Sequence, residues 1–189
     1  MFKKQTDNRV AVFFADGCEE IEGLTVVDLL FRAGIPCDMV SVSGSYQVTS
    51  SHEVTFLCNK LISEVDINAY AMLVLPGGIP GTPNLAATDV LMQAVDTFAA
   101  QGKPLAAICA APSIYAERGL LSGVRATANP GFQHVLVEKG ALLSKDPVVV
   151  DGPFITSQGA GTAVAFGLEI VRYFLGDAAV LRVRDGIAL

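Results

Sequence analysis

The sequence lacks the paired cysteines of a disulfide framework and the histidines of a zinc site. Its four cysteines, Cys18, Cys37, Cys58 and Cys109, show no CxxC spacing, and its two histidines, His52 and His134, lie far apart. Free thiols are expected, and no metal site is expected. No run of about eighteen uncharged apolar residues occurs, so no membrane-spanning helix and no membrane partner are expected. No basic block stands out in a chain of net charge −6 and isoelectric point about 4.8. That balance argues against nucleic acid as a partner. There is no Rossmann fingerprint and no P-loop lysine. Repeats, linkers and low-complexity tracts are absent too, so one domain over residues 1–189 is expected. The opening residues Met1–Arg9 run straight into an apolar strand with no signal-peptide region, and a cytoplasmic location is expected.

Apolar residue types, by contrast, are plentiful. They make up 51% of the chain, and the mean hydropathy is +0.48, which suits a sheet buried on both faces. Strands are predicted at Val10–Ala15, Ile35–Val42, Ala71–Leu75, Leu105–Ile108, Val124–Ala126, Val148–Val150 and Phe154–Thr156. Helices are predicted at Glu19–Ala33, Asp89–Ala100, Ala111–Arg118 and Thr162–Leu175, the first closed by Gly34 and the last by Gly176. A hairpin excursion is predicted between Val48 and Phe56, and a short final helix at Asp177–Asp185. Strands alternating with helices imply an α/β, flavodoxin-like doubly wound sandwich with a mostly parallel sheet. In that architecture a site forms at the carboxyl ends of the strands. The segments Asp16–Glu22, Pro76–Gly81 and Cys109–Pro112 are expected to meet there.

Cys109 follows the apolar strand Leu105–Ile108 directly, and a helix starts within a few residues. Strand, sharp turn, nucleophile and helix is the layout of a nucleophile elbow. Ala106, Ala107, Ala110 and Ala111 let the backbone turn tightly, and Pro112 suits the first helical turn. A sulfur at a helix N-terminus is expected to favour the thiolate. Backbone N–H groups at Ala110 and at Gly77 or Gly78 could bind an oxyanion. Cys109 can also be read as a buried small hydrophobe, which is the reading that serves for Cys37 and Cys58. The first helix opens on Glu19, Glu20 and Glu22. Glu19 and Glu20 read as acids complementing a helix dipole. Glu22 aligns instead with the apolar stripe Val26, Leu29, Leu30 and Ala33. A carboxyl half buried beside Cys109 would have a raised pKa, and could donate a hydrogen bond or pass a proton. Asp28 and Arg32 stand at helical ion-pair spacing. Leu24, Val27 and Phe31 form a second apolar line on the same helix, which suits contact with a second subunit.

Four blocks occur in order and spacing: Ala15-Asp16-Gly17-Cys18-Glu19-Glu20-Ile21-Glu22, Leu75-Pro76-Gly77-Gly78, Ala106-Ala107-Ile108-Cys109-Ala110-Ala111-Pro112 and Thr156-Ser157-Gln158-Gly159-Ala160-Gly161-Thr162. Together they resemble the ThiJ/PfpI superfamily, in the clade of the parkinsonism-associated deglycase and its bacterial relatives. The resemblance implies a flavodoxin-like sandwich, a homodimer, and no metal or organic cofactor. It implies that Cys109 is a nucleophile and an oxidation-sensitive thiol, hydrogen-bonded to Glu22, with N–H groups of Gly78 and Ala110 beside it. It also implies that Arg32 lies near the subunit interface.

The activities this resemblance implies are cofactor-independent conversion of methylglyoxal or glyoxal to hydroxy acids, and repair of early glycation adducts. The alternative is a redox-sensing or chaperone protein without turnover. A third reading, phosphate binding at Gly159–Thr162 in thiazole phosphate metabolism, ranks below both. The sequence departs from the family at three places. Ala110 stands where the protease-like branch has histidine, so a Cys-His dyad is not available. Asn129 precedes Pro130 where some members have histidine, which removes a second imidazole. His134, a few residues on, reads as a surface histidine. His52 stands where the human member has an arginine tied to anion binding from the partner subunit. A thiol governed by a carboxyl group favours aldehyde or redox chemistry over peptide hydrolysis.

Overall fold

In the computed structural model, which describes residues 2–189, the apolar runs become the inner strands of one sheet. These are β1 (Val10–Phe14), β2 (Cys37–Ser41), a hairpin of β3 (Gln47–Thr49) and β4 (Thr55–Leu57), β5 (Lys60–Leu61), β6 (Met72–Leu75) and β7 (Leu105–Ile108). Later come β8 (Arg125–Ala126), β9 (Leu142–Leu143), β10 (Val148–Asp151) and β11 (Phe154–Ser157). The helices are α1 (Glu20–Ala33), α2 (Gly81–Ala86), α3 (Asp89–Ala100), α4 (Pro112–Glu117), α5 (Gln133–Glu138) and α6 (Ala163–Gly186). Seven strands form the main sheet in the order β10-β11-β7-β6-β1-β2-β5, all parallel except the β10–β11 pair at one edge. This is the flavodoxin-like doubly wound arrangement. The chain winds outward from β1 in both directions, so the switch point falls between β1 and β6.

Every residue of β1, β6 and β7 is buried, because helices cover both faces. Ala11, Phe13, Leu73, Leu75, Leu105 and Ala107 face α3 and α4, against Leu91, Val95, Phe98 and Tyr115. Val10, Val12, Phe14, Val74, Ala106 and Ile108 face α1 and α6, against Val26, Leu30, Phe166 and Ile170. The alternation is the period-two pleat of a strand filling two cores at once.

The close seat of α1 on β1 depends on Gly23, where an added Cβ would fall 2.2 Å from Cε1 of Phe14. That ring is fully buried and has nowhere to go. Gly23→Ala is therefore expected to cost about 1–3 kcal/mol through overpacking, read from urea unfolding. An unchanged midpoint would mean that α1 can lift off β1 freely.

Several predicted boundaries shift for identifiable reasons. Ile35 and Pro36 fall outside β2, since the Ile35 N–H caps α1 at the Leu30 carbonyl and Pro36 has no N–H. The strand predicted at Val124–Ala126 becomes β8, which pairs with β9 in a small separate sheet rather than joining the main one. The two C-terminal helices form one element, α6, broken at Gly176 (φ 71°, ψ −177°) where the stop was predicted. Among the described residues no helix is long and apolar enough to cross a membrane.

Candidate active site

The carboxyl ends of β1, β6 and β7 carry the three segments expected to converge, and backbone hydrogen bonds lock the first two together. The Glu19 N–H donates to the Gly77 carbonyl at 2.9 Å, and the Gly81 N–H to the Gly17 carbonyl at 3.0 Å. Asn84 Nδ2 reaches the Asp16 carbonyl at 2.9 Å.

Cys109 ends β7 with φ 66°, in the left-handed region. A residue with a Cβ pays roughly 1–2 kcal/mol to stay there. Its N–H donates to the Ser157 carbonyl at 3.0 Å, and its own carbonyl accepts from the Asn129 N–H at 2.8 Å. Bonds from two neighbouring segments thus hold a strained residue in place, as expected of an elbow whose side chain must stand clear of the sheet.

Glu22, in the first turn of α1, is 1% exposed. Its Oε2 accepts the Gly77 N–H at 2.8 Å, while Oε1 is buried with no partner. Burial raises its pKa from the ordinary 4.5 to about 7, against the opposing pull of the Gly77 and Cys109 hydrogen bonds. Gly77 is required by the close approach itself. An added Cβ would lie 2.6 Å from Cys109 Cβ and 2.9 Å from Glu22 Oε2. Gly77 therefore does not serve as an oxyanion donor, because its N–H is spent on the carboxylate. The N–H groups that face the sulfur are those of Ala110 and Gly78.

The expectation of a ready thiolate is corrected. Burial first, then the charge and hydrogen bond of Glu22, push the Cys109 thiol up from 9.0 to about 12, against the pull of those two N–H groups. Helix α4 is only six residues long, so its dipole is too weak to outweigh burial. Sulfur and carboxyl together shed one proton near neutrality and keep the second far above it. Below about pH 7 both keep their protons, and above it a single proton is left between them.

The remaining candidates lie elsewhere. Arg32 sits roughly 15 Å further along α1 than Glu22, at about 1.5 Å per residue. It pairs with Asp28 at 2.7 Å and reaches the Gly186 carbonyl at 3.2 Å, so it has no place beside Cys109. His52 is exposed, with Nδ1 at 3.2 Å from Glu20 Oε2 and 3.6 Å from Glu19 Oε2. The hydrogen bond to Glu20 and the two carboxylate charges raise its pKa. These three side chains bring ligand-type atoms within 4.8 Å of one another. Nothing in the sequence pairs them, and an ion pair accounts for the contact. His134 is exposed on α5. Burial pushes Cys18 up to about 12, so it is a core thiol. The Gly159–Thr162 turn closes on itself, with the Gly159 N–H given to Thr162 Oγ1 at 3.1 Å, which leaves that donor unavailable to a phosphate.

Residues 8–173 match the DJ-1/PfpI family. "Protein DJ-1 homolog B" of Arabidopsis thaliana is 36% identical over 169 residues, which cover 89% of this chain and 38% of that protein. The chain thus spans well under half of that relative. "Glutathione-independent glyoxalase DJ-1" of Schizosaccharomyces pombe is 31% identical over 170 residues, covering 86% of this chain and 89% of that protein. The solved structure "Toxoplasma gondii DJ-1, oxidized" superposes with a TM-score of 0.90 at 31% identity, over 96% of this chain and 98% of that one.

Proposed function

The chain belongs to the DJ-1/PfpI family, and we propose that it converts α-oxoaldehydes such as methylglyoxal or glyoxal to hydroxy acids without a cofactor, using Cys109 as nucleophile and Glu22 as proton carrier. The observation that carries this reading is the strained elbow at Cys109 set against a buried carboxyl with one unpartnered oxygen. A relative of similar length, from Schizosaccharomyces pombe, is named a glutathione-independent glyoxalase.

The Cys109 sulfur adds to the aldehyde carbon, and the shared proton passes to the aldehyde oxygen, giving a hemithioacetal. The Gly78 and Ala110 N–H groups are aimed at the sulfur and steady that oxygen as charge develops. Glu22, now a carboxylate, takes the proton from the former aldehyde carbon and gives it to the second oxygen, which makes the enediol; it then takes the hydroxyl proton from the first oxygen and delivers it to the neighbouring carbon. The first carbon is thereby oxidised to a thioester and the second reduced to an alcohol, with no external electron acceptor. Water cleaves the thioester, releasing the hydroxy acid and restoring the thiol. A carboxyl that titrates near 7 suits both directions of transfer. Ile21 and Phe31, 51% and 52% exposed on α1, support the accompanying proposal of a homodimer.

The test is lactate formation from methylglyoxal by the purified protein in glutathione-free buffer. Turnover above the buffer rate is expected, and its absence would sink the reading. A second reading uses the same atoms. The donors around the sulfur would also hold an oxidised cysteine, and the Toxoplasma gondii relative is described as oxidised. Selective gain of two oxygens at Cys109 under mild peroxide, in a protein without turnover, would favour that role.

A further inference from the structure

Asn129 reads in the sequence as a lost imidazole, yet its amide reaches the reacting groups. The loop after β8 is tied to the elbow by the hydrogen bond from the Asn129 N–H to the Cys109 carbonyl, 2.8 Å. The side-chain Oδ1 accepts the Gly131 N–H at 3.1 Å. That bond decides which end of the amide is oxygen, and it turns Nδ2 the other way. Among the described residues Nδ2 meets no acceptor.

Gly159 marks where Nδ2 points. An ideal Cβ on Gly159 would lie 3.5 Å from Asn129 Nδ2, 3.8 Å from Glu22 Oε1 and 3.9 Å from Cys109 Sγ. These are the nearest atoms outside Gly159 and its chain neighbours, so the side chain that Gly159 lacks leaves one open spot which all three groups border. Three polar groups from three separate segments border a space that no side chain occupies. Two of them are complementary and unspent. Glu22 Oε1 is a buried acceptor without a donor, and Nδ2 is a donor without an acceptor. Leaving a buried acceptor unpaired is unfavourable. A ligand atom that accepts from one and donates to the other satisfies both, and a hydroxyl or enol oxygen is such an atom.

We propose that Asn129 is a catalytic residue whose Nδ2–H holds the second oxygen of the substrate, the oxo group beside the attacked aldehyde. This rests on the α-oxoaldehyde reading above. In the hemithioacetal the oxo oxygen accepts from Nδ2. As Glu22 removes the proton from the adjacent carbon, negative charge moves onto that oxygen, and the Nδ2–H stabilises it. Once protonated, the oxygen donates to Glu22 Oε1. The two substrate oxygens therefore have separate donors, Gly78 and Ala110 for the first and Asn129 for the second. An amide performs this task without titrating, so all proton traffic stays with Glu22.

The test is steady-state turnover of methylglyoxal by the wild type, Asn129→Asp and Asn129→Leu, with thermal unfolding of each. Asn129→Asp keeps the oxygen that accepts from Gly131 but replaces the donor, whereas Asn129→Leu loses both. Removing one such donor lowers kcat by roughly 10²–10³-fold. The loss is expected in both variants, with KM changed by less than about threefold and the Asn129→Asp midpoint close to wild type. A purely structural role would instead lower the midpoint of Asn129→Leu and spare Asn129→Asp, which would overturn the proposal. Both variants within about threefold of wild-type kcat would overturn it as well, with the α-oxoaldehyde reading intact. A wild type without turnover removes that reading and this one together.

Discussion

Cys109→Ala is expected to reduce methylglyoxal turnover to the buffer rate, a fall of at least roughly 10³-fold, as when a nucleophile is deleted from a site whose other groups act only through it. Alanine leaves the backbone donors of Gly78 and Ala110, the carboxyl of Glu22 and the amide of Asn129 untouched. What disappears is the covalent bond that makes the aldehyde hydrogen acidic enough for Glu22 to remove. The same position yields a stability prediction. At φ 66° any residue with a Cβ is strained, and glycine is not. Cys109→Gly is therefore expected to be more stable than Cys109→Ala by about 1 kcal/mol, even after the extra chain entropy of glycine. Both proteins would be inactive. Thermal unfolding and lactate formation measure the two effects side by side. Equal stabilities would mean that the elbow is not strained, and residual turnover in either would remove Cys109 from the chemistry.

That strain belongs to the part of the molecule legible in the sequence. The run Leu105–Ile108 ends at Cys109 among small residues, and a strand, a turn and a helix follow from composition alone. Glu22 was legible because it interrupts an apolar stripe, and its burial follows directly. Gly34 and Gly176 marked helix breaks because only glycine sits easily at positive φ. Helices α2 and α5 were not read in the sequence, since six residues hold too few positions for a helical period to show; α4, equally short, was read from the strand and Pro112 that open it. The division of labour between Gly77 and Gly78 was hidden for another reason. It turns on a 2.8 Å bond to a residue of a different element. The state of the thiol was misjudged because sequence shows a helix N-terminus but not the depth of burial. Asn129 was visible only as a missing histidine. Its nearness to Sγ comes from a backbone bond between two loops, for which no side-chain pattern exists.

Glu22→Gln separates the carboxyl's proton from its shape. Glutamine keeps an oxygen for the Gly77 N–H and the shape of the side chain, but it cannot take up or release a proton. Turnover is expected to fall by roughly 10²–10⁴-fold, the usual contribution of general acid–base catalysis. Stability should move the other way. In the folded chain Glu22 titrates at about 7, against an ordinary 4.5. Between those values the native state binds a proton that the unfolded state has released, so stability falls as pH rises through the window. The carboxyl costs nothing below about 4.5, and on the order of 3 kcal/mol once pH exceeds the folded value. Glutamine carries no such penalty. Glu22→Gln should therefore match the wild type near pH 4.5 and be the more stable protein at pH 8, by up to about that amount. Urea unfolding of both proteins across the range reads this carboxyl together with the Cys109 thiol coupled to it, because the other titrations are common to the pair. A stability difference that stays flat with pH would show that the carboxyl is not held protonated by its burial. The same result would take away the reason for placing proton transfer on Glu22. If the variant instead loses activity while gaining stability only at the alkaline end, the folded chain carries an energetic cost at this carboxyl that the chemistry alone explains.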